Sequence, residues 1–526
     1  MPMSQATVLI LGMATIGDLL SWRRSRVTWP FGVEQIAMVA AVCGAYMLVS
    51  APVAYLGSAT SLLGEQWDLQ LYLPLTEYLK NGAVGAAIGA PPNPLIQALN
   101  AVDVRGGSGW GVSYLDAFMG VVLGRPSVET FTSTLDLVFS LSALSVYLFC
   151  RRALRLSPKV SLTASGIWAS NGLALWLTSV GFAGHVATFL TMPFALATAI
   201  TALTHRNVRA YLLAGIAAAG MLLSYYTGAL LVYSVALAIL LLRRLLRGFW
   251  HIRQDRRTVL FTIAFVILFA SVGHAKFLQV LPAYFTQGSA IGPSPYRHIS
   301  LSEALGLVPF LRDSGIEPLG VTTWVLDVLG LAAGGILVGM GLVASGGQRW
   351  RSHHLMHIVA AIAAVACVFR FIVPYEYGYF KVISLGSFLF SVGLAMSLSS
   401  LWDGVRVRLL RGGETRYGVS ESVTATLVPV RRGLSVPRLR AGVAAATALL
   451  LVLTVITATW TVYALSNPRD RELSGDIARW MDLERQLPEG SPVLISGSEF
   501  LSTRQQTLLF YALISHPVEL GNLAGC

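Results

Sequence analysis

TSTLDLVFSLSALSVYLFCRRALRLSPKVSLTASGIWASNGLALWLTS (132–179) decides the fold class. Two apolar runs, 132–150 and 160–179, flank a short connector that carries Arg151, Arg152, Arg155 and Lys159. Each run has the roughly 17–25 residues that a tilted helix needs to cross a bilayer. In hydrocarbon the backbone N–H and C=O groups find no water and must pair within the segment, so the runs read as helices.

The same alternation extends in both directions. Apolar runs fall at 6–20, 36–57, 132–150, 160–179, 186–204, 209–226, 227–243, 257–275, 322–344, 355–373, 379–400 and 441–465. Composition agrees: 55% of the 526 residues are hydrophobic and 12% charged, against about a quarter charged in soluble domains. The fold class expected is an all-α polytopic membrane protein of about twelve spans. Residues 1–465 form the transmembrane domain, and 466–526 form a small extracytoplasmic α/β tail. The run at 6–20 is followed, not preceded, by Arg23, Arg24 and Arg26. That is the reverse of a cleavable signal, so it reads as a short first span.

Sidedness follows from the basic residues, because cytoplasmic loops carry the excess. The connectors 21–35, 151–159, 205–209, 243–257, 345–354 and 401–440 hold 25 Lys and Arg against five acids. They alternate with the remaining loops without a violation, which makes the first loop (58–131), the second loop (276–321) and the tail extracytoplasmic. The basic segment 401–440 then faces cytoplasmic headgroups. The net charge of +12 is thus spread over loops, and no nucleic-acid partner is expected. Cys43, Cys150, Cys367 and Cys526 show no CxxC spacing, so neither a disulfide framework nor a metal site is indicated.

The chemistry concentrates in the first loop. GEQWDLQLYLPLTEYLKNG (64–82) places Glu65, Asp68, Glu77 and Lys80 just past a span. Glu65, Asp68 and Tyr72 recur at helical three- and four-residue spacing and share a face. Such a carboxylate pair can take a proton from a substrate hydroxyl or hold a divalent cation; it can equally be a solvated acidic helix end, favoured by the helix dipole. VSYLDAFMGVVLGRPS (112–127), with Asp116 and Arg125, reads as an amphipathic interfacial helix. Asp136 and Asp327 fall about one turn inside the outer ends of their spans, where they can line a water-filled cavity. His185 reads as a turn histidine. In the tail, 476–487 and 503–514 have helical periodicity, and SPVLISG (491–497) and HPVEL read as strands. This leaves the tail either unusually small or cut short at Cys526.

A long first outer loop with an acid in a Trp-Asp-x-x-x-Tyr-Leu-Pro context, interfacial helices, many spans with short basic turns and an outer α/β tail resembles the GT-C superfamily of integral membrane glycosyltransferases. The resemblance covers about residues 36–526 and is architectural. It implies hexosyl or pentosyl transfer from a polyprenyl-phosphate-linked donor to a glycan, lipid or protein acceptor on the outer face of the cell membrane. It also implies Asp68 as the base, with Glu65 as second candidate. Many members carry a His four residues after this acid; here Tyr72 stands there, so no metal ligand is assigned. The departing lipid phosphate needs cations, and the outer-side candidates are His274, Lys276, Arg297, Arg370 and Lys381, the last in PYEYGYFK beside Glu376. Aromatic belts and snorkelling cations give the structural alternative for these residues. The competing function is a transporter or lipid-sugar flippase, which internal repeats would favour; no clear repeat is present. No GxGxxG, P-loop, HExxH or nucleophile-elbow motif occurs.

Overall fold

The structure is a computed structural model. It describes residues 32–56, 61–63, 69–81, 111–205, 208–224, 232–240, 300–308, 349–372, 375–399, 437–466, 471–473, 482–488, 490–496, 503–513 and 516–521, with isolated positions at 325, 328, 330, 332–334 and 402. The expected spans 6–20 and 257–275, and most of 322–344, lie outside the described residues.

Among the described residues the fold is helical and membrane-spanning. Six helical stretches are long and apolar enough to cross a bilayer: Val33–Tyr55, Ser127–Ala153, Ala183–Thr204, His354–Ile372, Gly378–Ser399 and Ala444–Leu465. Helices α1 (Val33–Tyr55), α4 (Ser127–Leu148, continued by a π turn Phe149–Ala153), α5 (Pro158–Ala169) and α7 (Ala183–His205) pack around α4. α8 (Val208–Ser224) lies along α7. The core is close-packed and aromatic: Trp168 meets Phe189 edge-on at 5.0 Å and Phe149 meets Phe388 edge-on at 5.3 Å. Polar contacts add specificity where hydrocarbon gives no hydrophobic drive between helices. Trp168 Nε1 donates to Ser142 Oγ (2.7 Å), and Ser165 Oγ to the Ala143 carbonyl (2.7 Å).

The single span expected at 160–179 is two helices. α5 starts on an N-cap by Ser157 with Pro158 at its first position, the pattern that satisfies an orphan amide and supplies a preset φ. It stops at Ala169, and Asn171 then caps α6 (Gly172–Val180) by accepting the Ala174 amide at 3.0 Å. The break serves a neighbour. Asn171 Nδ2 donates to the Leu305 carbonyl (3.1 Å) and Thr457 Oγ1 to the Leu307 carbonyl (2.9 Å). Those carbonyls follow a four-residue helix, α9 (Leu301–Ala304), held by a buried Ser300–Glu303 capping box. Non-helical backbone is tolerated beside spans only where protein groups satisfy it. At Gly172 a Cβ would sit 2.5 Å from Thr457 Cγ2, so only glycine admits α12 (Pro437–Leu465) this close.

α10 (Arg349–Cys367) ends in a π turn, Val368–Ile372. The stretch PYEYGYFK (374–381) is helical from Glu376 onward: α11 (Glu376–Gly386) opens there, and the helix resumes at 388 after a turn at Ser387. α12 turns Val452, Val455, Ile456 and Trp460 outward, as a lipid-facing helix does.

One small sheet ties the loop to the tail, and a second lies within the tail. β1 (Ser61–Leu63), just past α1, pairs antiparallel with β2 (Arg471–Leu473), just past α12, in the register Leu62↔Glu472. Both segments therefore lie at one end of the helix layer. Farther along, β3 (Val493–Ser496) and β4 (Val518–Gly521) run parallel, Val493 opposite Val518, with α13 (Thr503–Ala512) as the crossover. Parallel strands require such a crossover.

Candidate functional site

Two polar clusters stand at the end of the helix layer that carries β1 and β2. The first joins α2 (Leu69–Asn81), α3 (Gly111–Leu123), the start of α4 and α13. Glu77 and Lys80 are three apart on α2 and face the same way. Lys80 Nζ donates to Glu77 Oε1 (2.8 Å) and to the Arg125 carbonyl (2.8 Å), and Tyr511 Oη donates to Glu77 Oε1 (2.7 Å). The Ser127 amide, at the N-terminus of α4, donates to the same oxygen. One carboxylate oxygen thus gathers a lysine, a helix amide and a phenol, and through them the loop, a span and the tail. Gly120 makes room for this: a Cβ there would lie 2.5 Å from Lys80 Cε.

Asp116 completes the cluster. Sequence periodicity places it on an interfacial helix, yet it is fully buried, because α3 packs against α2 and α4 and does not float on the bilayer surface. Its Oδ1 accepts from Thr130 Oγ1 (2.7 Å) and Thr134 Oγ1 (3.0 Å). Its Oδ2 is buried without a hydrogen-bond partner among the described residues. Burial pushes the Asp116 carboxyl up to about 7, against the pull of the two threonines and Lys80. Glu77 behaves oppositely. Burial raises it, but the hydrogen bond from Lys80, the Ser127 amide, the Lys80 charge and Tyr511 outweigh that, so it titrates below the ordinary carboxylate range. Two acids in one cluster are therefore driven apart, Glu77 charged and Asp116 neutral below pH 7. Burial first, and then Glu77, hold the Tyr511 phenol well above its usual range, so it stays a donor.

The second cluster is built by α7, the π turn after α10, and α11. His185 is not in a turn. It occupies the first turn of α7, buried, with Nε2 2.7 Å from Ser384 Oγ and its ring against Phe189 and Phe380. The Arg370 guanidinium stacks over the Tyr379 ring at 5.4 Å, and Tyr375 meets Phe369 edge-on at 5.7 Å. Lys381 is half-buried on α11, five residues before Gly386 ends it. α9 packs against α11. Since α6 contacts β1 and α7 begins just after α6 ends, this cluster sits at the same end as the first. α7 packs against both α3 and α11.

Arg370 stacks on Tyr379 of α11, the helix that also carries Lys381. Glu376 opens the same helix. Tyr72 belongs elsewhere: its ring packs at 6.5 Å from Phe131 and its carbonyl accepts from Thr76. Asp68, Glu65, Lys276, His274 and Arg297 lie outside the described residues, as does Asp327. Asp136 is more than two turns into α4, buried, and accepts from Ser50 Oγ at 2.8 Å; it joins α4 to α1 and does not stand one turn below the surface. Cys43, Cys150 and Cys367 are free thiols. Among the described residues, no three of His, Cys, Asp and Glu converge in a way that would hold a metal ion.

Sequence reasoning saw Glu77 and Lys80 only as charges beside a span, and missed Tyr511 and the Thr130–Thr134 pair. The three-residue spacing of Glu77 and Lys80, and the four-residue spacing of the threonines, were the available signals. Nothing local ties Tyr511 to either.

No family model matches the sequence, and no curated relative matches it. Solved structures do. ArnT from Cupriavidus metallidurans bound to undecaprenyl phosphate is 15% identical, with 92% of this chain and 85% of that chain covered at a TM-score of 0.46. The apo state of the same protein is 14% identical over the same shares, with a TM-score of 0.49.

Proposed function

We propose that the chain is a multi-pass glycosyltransferase of the cell membrane. It moves a sugar from a polyprenyl-phosphate-linked donor to a glycan, lipid or protein acceptor on the extracytoplasmic face. The observation that supports this reading is a pairing at one end of the helix layer: a loop–tail unit fixed by Glu77, Lys80 and Tyr511 stands at the same end as the Arg370–Tyr379 stack, with Lys381 on the same helix as Tyr379. The arginine-rich connectors mark the opposite end as cytoplasmic, which leaves this end, with the first loop and the tail, outside.

Transfer to an acceptor hydroxyl needs two groups. As the acceptor oxygen attacks the anomeric carbon, its proton must pass to a carboxylate. Asp68, which directly precedes α2 in the sequence, supplies it, with Glu65 three residues away. The bond from the anomeric carbon to the phosphate oxygen breaks, and the electron pair leaves on the lipid phosphate. Arg370 and Lys381 neutralise that charge from α10 and α11, with Lys276 and His274 as further candidates. At 14–15% identity and TM-scores below 0.5, the ArnT structures lend no residue role to this chain. The donor class rests on the sequence resemblance and on this chemistry.

The test is a proteoliposome assay with a panel of polyprenyl-phosphate monosaccharides, reading the release of polyprenyl phosphate by mass spectrometry. The wild-type chain releases it, and Asp68→Ala lowers the rate by about 10²–10⁴-fold while insertion into the membrane is unchanged. Unaltered release by Asp68→Ala removes this residue from the mechanism. Donor crossing the bilayer without release replaces the transferase with a flippase.

A further inference from the structure

At the end of the molecule opposite the two clusters, α1 and α4 diverge and leave a cavity of about 780 Å³ between them. Its walls are apolar, with Val42 and Leu144 among the residues that line it, and its mouth is charged, with Glu34, Arg151 and Arg152. Beside it, Ile36 and Val39 of α1 are exposed, so the groove opens where hydrocarbon surrounds the protein. A volume within the roughly 300–1,000 Å³ of ordinary ligand pockets, at membrane depth, is filled by something apolar.

The mouth selects the occupant. Arg151 is braced: Nε donates to Glu34 Oε1 (3.0 Å), Nη1 donates to the Leu156 carbonyl (2.8 Å), and the Tyr147 hydroxyl donates to the same Glu34 oxygen. Arg152, one residue on, is exposed and has no hydrogen-bond or ion-pair partner among the described residues. Arg155 and Lys159 follow on the same connector. The rim itself thus carries two arginines, Arg151 and Arg152, against one acid already used to orient the first. A guanidinium fork fits a phosphate, and basic pockets between spans at the cytoplasmic side take anionic lipid headgroups.

We propose that this groove is a binding site for an anionic diacyl phospholipid of the cytoplasmic leaflet. Its phosphate sits against Arg152 and the braced Arg151, and an acyl chain lies along Val42 and Leu144. The site is independent of the transfer chemistry at the other end and does not rest on it.

Native mass spectrometry of the delipidated full chain, titrated with phosphatidylglycerol, phosphatidylcholine, undecaprenyl phosphate and glycerol phosphate, tests the site. The expected result is one phosphatidylglycerol adduct formed well before any phosphatidylcholine adduct. Arg152→Gln weakens it about fivefold and leaves phosphatidylcholine binding unchanged, while Arg155→Gln, on the same connector but off the groove, has no effect. Val42→Trp, which fills the groove, removes the adduct. Equal binding of both phospholipids overturns the proposal, as does an Arg155→Gln effect as large as that of Arg152→Gln. Tighter binding of undecaprenyl phosphate or of glycerol phosphate overturns the assignment to a diacyl lipid.

Discussion

The two clusters at the end that carries β1 and β2 differ in how their charges are held. In the loop–tail cluster every charged group is packed: Lys80 is nearly buried, Glu77 Oε1 receives three donors, and Asp116 has no exposure. In the mouth cluster Arg370 and Lys381 are half-buried, and Arg370 is steered by an aromatic face. The first arrangement suits a joint, because a buried ion with all its partners resists displacement strongly when one is removed. The second suits a ligand, because a cation held over a ring keeps its direction and still has room to meet an anion. Neighbouring clusters of similar composition thus suit different ends, and burial decides which.

Replacing Glu77 breaks the comparison most sharply. Glu77→Ala strips Lys80, the Ser127 amide and Tyr511 of their shared acceptor, and is expected to destabilise the loop–tail unit by about 3 kcal/mol. Limited proteolysis should then release the tail at a lower temperature than in the wild-type chain. Tyr511→Phe removes one hydrogen bond to a charged group, and the same assay should show a loss of about 1.5–3 kcal/mol.

Asp116 gives the cluster a pH dependence with a definite sign. A carboxyl whose folded value is raised to about 7 favours the folded state when protonated. Its contribution is fully present below the ordinary carboxylate value and is lost as pH rises to about 7. Glu77, lowered in the folded state, acts in the other direction and only at acid pH: its contribution is present above the ordinary value and fades as pH falls below it. Thermal unfolding should therefore show stability declining from about pH 4 to 7. Asp116→Asn should flatten that slope, and an unchanged slope would mean that another group carries the proton.

The smallest effect on stability belongs to the mouth. Lys381→Gln is expected to change it by less than about 1 kcal/mol, yet to slow polyprenyl-phosphate release. A stability loss as large as that of Glu77→Ala would erase the distinction between the clusters.

The spans were legible because hydrocarbon imposes one rule on every residue it touches. Phe139, Val146 and Phe149 lie in a run that any reader of hydropathy marks as a helix. The interruption at Asn171 was less so. Asn and Gly signal a cap anywhere, but only the carbonyls of Leu305 and Leu307, far along the chain, make a break inside a membrane tolerable. Likewise Glu376 reads as part of a loop after a proline, whereas contact of α11 with α9 and α10 makes it the start of a helix. Arg370 and Lys381 were chosen for charge and place; the structure stacks Arg370 on Tyr379, on the helix that carries Lys381. Their proposed partner Asp68 lies outside the described residues.

Composition and periodicity alone determined that this chain lives in a membrane as helices and which end of it gathers arginine. Both follow from the cost of exposing backbone and charge to lipid, and that cost is paid residue by residue. Which acids meet which bases was decided only in three dimensions. Glu77 and Tyr511 are separated by most of the chain, and their hydrogen bond exists because β1 and β2 pair and α13 docks on α2. No local pattern encodes a contact between segments that far apart.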